Sequence, residues 1–386
     1  MVEADIDLLV VGGGIVGCTV AERAARERGW RSLVVDRRNH VGGNCHDGVH
    51  ESGVRVHTYG PQYVRTDSAS VLAYLSRFTE WIPGRYVAKV ATRGRLFDFP
   101  VNLTTLEQFY GTSLTPDEAR RLLDEKRDRT IATPRNSEEL VLSRVGRELY
   151  EAFYAGYTCK QWGRSPALLD PSVCGRIPVR FTRDERYVEQ RHQVMPRDGY
   201  TPMFRRMLAS PLVTVLLGCD FAELRDAVRP RVATLWTGPI DEYFDHRLGR
   251  LPWRSLDFEL VAYEQEWRQP CVQINYPDEQ PYTRSIEYKH VTGQRHPATV
   301  VGYEYPRSTG EPFYPVPSAE SRRLHAAYRE LAEDARHAER TYFAGRLATY
   351  AYINMDQAVL AAFDAFTAIE RDWLASHARR AAAAGG

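Results

Sequence analysis

Apolar positions recur with two rhythms along this chain. Asp5 to Val11 (DIDLLVV) is a nearly unbroken apolar run, and residues 32–36 (SLVVD) form another that ends in an acid. Short continuous runs of this kind predict strands of a parallel sheet covered on both faces. Between them, Cys18 to about Glu27 carries helical spacing, so the opening segment predicts a strand–helix–strand unit. Residues 212–217 and 232–236 repeat the buried-strand pattern and are expected to rejoin that sheet. Tyr342-Phe343-Ala344 reads as a further strand, and a long helix is expected from about residue 355.

The remainder alternates differently. Residues 68–81 predict a helix, and residues 85–100 predict short strands that turn at Arg93-Gly94-Arg95. From about 103 to 160 the spacing is helical, with arginine and glutamate interleaved over 115–127 and 137–152. This predicts an inserted helical lobe whose charged faces are solvated. Residues 175–200 and 250–305 hold short alternating segments rich in Tyr, Val and Thr, expected to form an antiparallel sheet. The tail from Ser376 to Gly386 is low in complexity and expected to fray.

At 386 residues the chain exceeds what one hydrophobic core serves, so two or three lobes are expected. A net charge of +1 argues against a polyanionic partner such as nucleic acid. Lys89, Lys126, Lys160 and Lys289 are the only lysines, so any local basic site is built from arginines. The six cysteines show no CxxC pair, which predicts neither a disulfide framework nor a zinc site. The run Leu8 to Val11 is far too short to span a membrane, and no leader pattern precedes it. His290 and His296 lie in a basic loop and read as solvated rather than metal-bound. The expectation is a reduced cytoplasmic enzyme without metal, membrane or nucleic-acid partner.

Gly12, Gly14 and Gly17 match G-x-G-x-x-G directly after the first strand and at the start of the first helix. The first glycine allows the tight turn, the second a close approach to a pyrophosphate, and the third close packing of helix on strand. Asp36 ends the second strand, where an acid accepts hydrogen bonds from ribose hydroxyls. Together these predict dinucleotide binding. The segment Arg37-Arg38-Asn39-His40-Val41-Gly42-Gly43-Asn44 favours FAD over NAD, because the glycine pair lets a loop pass close to a bulky extended cofactor. Gly345-Arg346 near the C-terminus looks like the late segment that closes over flavin in the large FAD oxidoreductase class.

Specific motifs run through the rest of the chain: RNHVGGN (38–44), GYTCKQWGR (156–164), RIPVRFT (176–182), TGPID (237–241), PYTR (281–284), EP-x-YPV (311–316) and AGRLATY-x-Y (344–352). Their combination resembles the bacterial UDP-galactopyranose mutases from about residue 5 to residue 370. The resemblance implies an α/β fold. A Rossmann-like FAD domain would be drawn from 1–82, 203–245 and 318–386, with a helical bundle over 101–165. An antiparallel-sheet substrate domain would come from 83–100, 166–202 and 246–317. It implies that reduced flavin acts as a nucleophile, N5 displacing the nucleoside diphosphate from the anomeric carbon before the sugar recloses as a furanose.

The same resemblance assigns residues. Arg176 and Arg284 match a pair of arginines that clamp the diphosphate, a task suited to the guanidinium fork. Tyr187, Tyr314 and Tyr352 match tyrosines that reach the phosphates, although any one of 22 tyrosines could equally be packing. Phe153 and Tyr157 match residues that hold the base, Thr158 one at the base edge, and Trp162 a tryptophan on a mobile loop beside the sugar. Flavin contacts are implied for Arg37, Asn39, Gly43, Asn44, His57, Phe221, Arg346, Asn354 and Met355. NAD(P)H or another reductant and a homodimer are implied as partners.

Three departures stand out. Where the family carries G-x-H-x-x-H, this chain reads Gly60-Pro61-Gln62-Tyr63-Val64-Arg65. Glutamine cannot titrate and arginine is a permanent cation. Arg65 could therefore stabilise an anionic reduced flavin, or contact phosphate or sugar. Asn354 stands where an aspartate is usual, and Asp198 where a glycine is common; Arg85-Tyr86 is also altered. The departures predict a kept nucleotide scaffold with an altered sugar pocket, for a 6-deoxy sugar, an N-acetylated sugar or a pentose. A redox flavoenzyme and a nucleotide-sugar binder without turnover remain open as alternative readings.

Overall fold

The structure is a computed structural model that describes residues 5–384, with side chains to Arg379. Five strands form a wholly parallel sheet in the order Val213–Leu217, Ser32–Asp36, Leu8–Val11, Ala233–Trp236, Thr341–Phe343. The expected five segments thus meet in one sheet, although the first strand begins at Leu8 rather than Asp5. Leu8, Leu9 and Val10 are at most 1% exposed, so both faces are covered, as a parallel sheet requires. The helix Ile15–Arg28 packs on one face together with the long helix from Met355, and Trp30 is wedged against Phe366 and Trp373. That terminal helix runs to Ala384, so the tail through 384 is helical rather than frayed; Gly385 and Gly386 lie outside the described residues.

A second sheet of seven strands joins Tyr314–Pro315, Trp253–Tyr263, Thr299–Arg307, Arg284–Glu287, Gln273–Asn275, Ala88–Thr92 and Arg95–Phe99. Its pairs are antiparallel except Gln273–Asn275 against Ala88–Thr92, which run parallel. The stretch 175–200 does not join it as expected. It supplies His192–Pro196, which pairs with Val64–Thr66 and Trp81–Pro83 in a separate small sheet. The remainder is held by side-chain and loop bonds, such as Arg180 Nη1 to the Arg186 carbonyl at 2.6 Å. The helix expected over 68–81 is confined to Ala69–Leu75, because Trp81 to Pro83 is recruited as a sheet edge.

Helices Leu103–Tyr110, Pro116–Lys126 and Ser137–Leu149 form the charged lobe around Leu106, Leu123, Val145 and Leu149. Their starts are written locally: Thr115 and Glu118 cap each other's backbone amides ahead of Pro116. The chain then widens into a π-type turn, Tyr150–Ala155, before the helix Gly156–Trp162. Such turns often mark functional positions, and this one carries Phe153. Among the described residues no helix is long and apolar enough to cross a membrane, and no cluster of His, Cys, Asp and Glu could hold a metal ion.

Candidate active site

The first cleft opens at the C-terminal ends of the parallel strands and encloses about 1310 Å³ of non-protein space out to its mouth. Gly12 has φ 108°, and a Cβ there would lie 2.0 Å from Thr237 Oγ1. A Cβ on Gly17 would lie 2.0 Å from the Gly12 carbonyl oxygen, so only glycine lets this helix sit so close to its strand. Gly14 caps the helix Ile15–Arg28 without any side-chain bond, leaving its first amides directed at the cleft. Gly43 lies across from it, where a Cβ would come 3.0 Å from the Gly14 Cα. Asp36 Oδ2 accepts from the Gly13 amide at 2.8 Å, which ties the acid to the glycine turn.

Of the predicted cofactor residues, Gly12, Gly14, Asp36, Arg37, Gly43, Asn44, Phe221, Arg346, Asn354 and Met355 line this cleft. Two do not. Asn39 is exposed and outside the lining. His57 is fully buried behind the cleft, where its Nδ1 accepts from the Gln62 amide at 2.8 Å. Burial pushes its imidazolium down to about 4, so His57 is a neutral brace for the segment carrying Gln62. Thr237 was not singled out as a site residue, yet it abuts Gly12 and donates to the Val11 carbonyl at 2.8 Å. Its signal was the TGPID motif directly after a buried strand.

The second cleft shares Gln62, Arg346, Asn354 and Met355 with the first. Phe153, Tyr157, Thr158, Trp162, Arg176, Tyr187, Arg284, Tyr314 and Tyr352 all line it, as does Arg65. The Arg176 guanidinium sits 3.9 Å from the Tyr352 ring centre, and Tyr352 stacks on Tyr314 at 5.3 Å. Arg284 is aimed by Glu304, fully buried, whose Oε2 accepts from Nε at 2.6 Å, while Nη2 reaches the Tyr314 hydroxyl at 3.3 Å. Burial opposes charge on Arg284, but Glu304 and the facing phenols more than offset it and keep the guanidinium protonated. Burial holds the Tyr157 phenol neutral by raising its pKa.

Trp162 is the last residue of a helix rather than part of a loop. It is 5% exposed, 6.3 Å from both Tyr314 and Tyr352, and followed by Gly163 in the left-handed region. Of the departures, Gln62, Arg65 and Asn354 meet at the seam of the two clefts. Asp198 does not: it lies outside both linings and pairs with Arg206 at 3.3 Å. Arg85 is likewise a surface partner of Glu185, whereas Tyr86 is buried and donates to Gln273 Oε1 at 2.6 Å in the cleft wall. Gln273 and Asn275, also in that wall, carried no sequence signal, because a three-residue strand has too little pattern to read.

A glycine-lined cleft at the C-terminal ends of a parallel sheet, sharing a wall with an arginine- and tyrosine-lined cleft, is the layout of a Rossmann-type cofactor enzyme with an adjoining anion-binding cleft. Comparison with known proteins carries this further. A family model described as UDP-galactopyranose mutase matches residues 152–352, and one described as NAD(P)-binding Rossmann-like domain matches residues 10–78. A probable UDP-galactopyranose mutase of Klebsiella pneumoniae is 37% identical over 91% of this chain and 91% of its own length. A dTDP-fucopyranose mutase of Escherichia coli is 36% identical over 92% of this chain and 96% of its own. A crystal structure of reduced UDP-galactopyranose mutase shares the fold with a TM-score of 0.73 at 15% identity, covering 94% of this chain and 93% of that one. The chain belongs to the UDP-galactopyranose mutase family and is a flavin-dependent mutase, an isomerase.

Proposed function

We propose that this enzyme binds FAD in the first cleft and interconverts the pyranose and furanose forms of a nucleoside-diphosphate sugar in the second. The observation that carries the reading is the convergence of Arg176, Arg284, Tyr187, Tyr314 and Tyr352 on a cleft that shares a wall with the dinucleotide cleft. The cofactor cleft fits FAD on its own terms. It offers an uncapped helix end for a pyrophosphate, a glycine turn in which Gly12 and Gly17 admit no Cβ while Gly14 leaves open space, and apolar walls from Ile15, Phe221 and Ile353.

When bound and reduced, the flavin supplies the nucleophile for the anomeric carbon. The protein's task is to hold a leaving diphosphate that must return. Arg176 and Arg284 enter from opposite parts of the chain and stay charged throughout, so they retain the diphosphate after it departs. Tyr187, Tyr314 and Tyr352 add phenolic hydroxyls to the same cleft. Phe153 and Tyr157 form an aromatic wall for the base. Trp162 closes the sugar end, and its burial keeps water from a cationic intermediate.

The seam residues Gln62, Arg65 and Asn354 favour a sugar other than galactose. The test is turnover of UDP-, dTDP- and GDP-linked galactose, fucose, arabinose and N-acetylgalactosamine by dithionite-reduced enzyme, read by chromatography and NMR. A furanose from one member supports the reading and names the substrate. UDP-galactose as best substrate by a wide margin would discard the altered-sugar reading. No furanose, with oxygen or NAD(P)H consumed in step with product, would favour the redox alternative.

A further inference from the structure

Arg65 sits on the strand Val64–Thr66, whose Val64 and Thr66 are fully buried. Strand alternation therefore sends Arg65 the other way, into the seam between the clefts. Its hydrogen bond runs from Nη2 to Asn354 Oδ1 at 2.5 Å, and its guanidinium lies 5.9 Å from the Tyr63 ring centre. Among the described residues no carboxylate lies within 4.0 Å of it. Asn354 in turn lines both clefts, so the guanidinium is one side chain away from the first cleft.

The charges around the seam do not balance without a ligand. Arg65, Arg176, Arg284 and Arg346 line the second cleft, and among the described residues Glu304 is the one carboxylate bonded to any of them. Three positive charges remain after that pair is taken out. The diphosphate of a nucleotide sugar supplies two negative charges. A flavin that takes up two electrons and one proton carries the third.

We propose that Arg65, held by Asn354, is the fixed countercharge of the anionic reduced flavin and sets how readily this enzyme's cofactor is reduced. The inference rests on flavin binding as proposed above. A cation stabilises the anionic reduced form and not the neutral oxidised form, so it shifts the reduction equilibrium. The neutral amide of Asn354 orients the guanidinium without cancelling it. A carboxylate at 354 would cancel it. Arg65 is thus a positioning and charge-setting residue whose effect is visible in the absence of any sugar.

The test is a spectroelectrochemical titration of the flavin-loaded enzyme, without substrate, for wild type, R65Q, R65K and N354D. R65Q is expected to lower the reduction equilibrium constant about tenfold, which for a two-electron couple is a fall of about 30 mV. N354D should lower it similarly by pairing with Arg65, and R65K should stay close to wild type. If R65Q does not fold, N354D against R65K decides. Potentials unchanged in R65Q and N354D would overturn the proposal. So would a pattern in which R65Q leaves the potential alone but weakens binding of one nucleotide sugar, since Arg65 would then serve the sugar. Wild-type protein that takes up no flavin would instead defeat the functional reading beneath it.

Discussion

At the scale of single residues, the second cleft is governed by arginines acting on phenols. Burial pushes the Tyr352 phenol up, but Arg176, Arg346 and Arg284 more than offset this and bring it down to about 8. This is an acid with a depressed folded pKa, so its anion accumulates as pH rises through about 8. A phenolate there neutralises part of the clamp and repels the diphosphate. We expect the KM for nucleotide sugar to rise above pH 8, and Y352F to remove that rise, as read in the pH profile of kcat/KM. R176A should lower kcat/KM by about 10²–10³, the usual loss for one charged donor at a reacting group. Its folding should be unaffected, since Arg176 is exposed to the cleft and makes no ion pair among the described residues.

At the scale of elements, two pieces of backbone decide where ligands lie. The helix from Ile15 offers its bare N-terminus through Gly14, whose Cβ would meet nothing closer than the Gly43 Cα at 3.9 Å. G14A should therefore fold but lose flavin, because the methyl enters the space of the pyrophosphate; co-purified flavin absorbance checks this. The helix Gly156–Trp162 is pinned at its end by two cations bonded to backbone. Lys160 Nζ donates to the carbonyls of Asp278, Gln280 and Tyr282 at 2.9, 2.9 and 3.2 Å. Arg254 donates to the carbonyls of Gln161 and Lys160 at 2.9 and 3.1 Å. These bonds tie Trp162 to the loop that leads into Arg284. K160M should loosen that tie and raise KM on the order of tenfold, comparable with losing one charge-assisted bond of about 1.5 kcal/mol. Steady-state kinetics would show the rise, and an unchanged KM would argue that the helix is held elsewhere.

At the scale of the whole molecule, the first and last helices close one face of the parallel sheet, so the chain's end stabilises its beginning. Phe366 is fully buried against Trp30. F366A should cost about 3–5 kcal/mol by leaving a cavity. Denaturant unfolding of the flavin-free protein measures it, and a loss under 1 kcal/mol would mean that the two helices repack freely.

What could be read from sequence follows the range of the forces involved. The strand, the glycine turn, the helix behind it and Asp36 are contiguous, and steric rules for glycine and burial rules for apolar runs act within a few residues. The Arg93-Gly94-Arg95 hairpin and the Thr115 capping box are local in the same way, and the sequence determined them. The motifs of the second cleft were legible as family patterns, but their meeting was not a local matter. Arg65, Arg176 and Arg284 come from three separate stretches and Arg346 and Tyr352 from a fourth, and only packing of the sheets and the helical lobe brings them to one space. His57 and Asn39 mark the limit: each lies in or beside a cofactor motif, but burial turned one behind the cleft and exposure turned the other away. The stretch 175–200 has strand-like composition, yet a strand needs an edge to pair with, and among the described residues the fold offered a full ladder to His192–Pro196 and a single bridge to Arg186. Sequence by itself determined the local elements and the kinds of chemistry present. Tertiary structure decided which of those groups face each other, because pairing, burial and charge balance depend on neighbours that are distant along the chain.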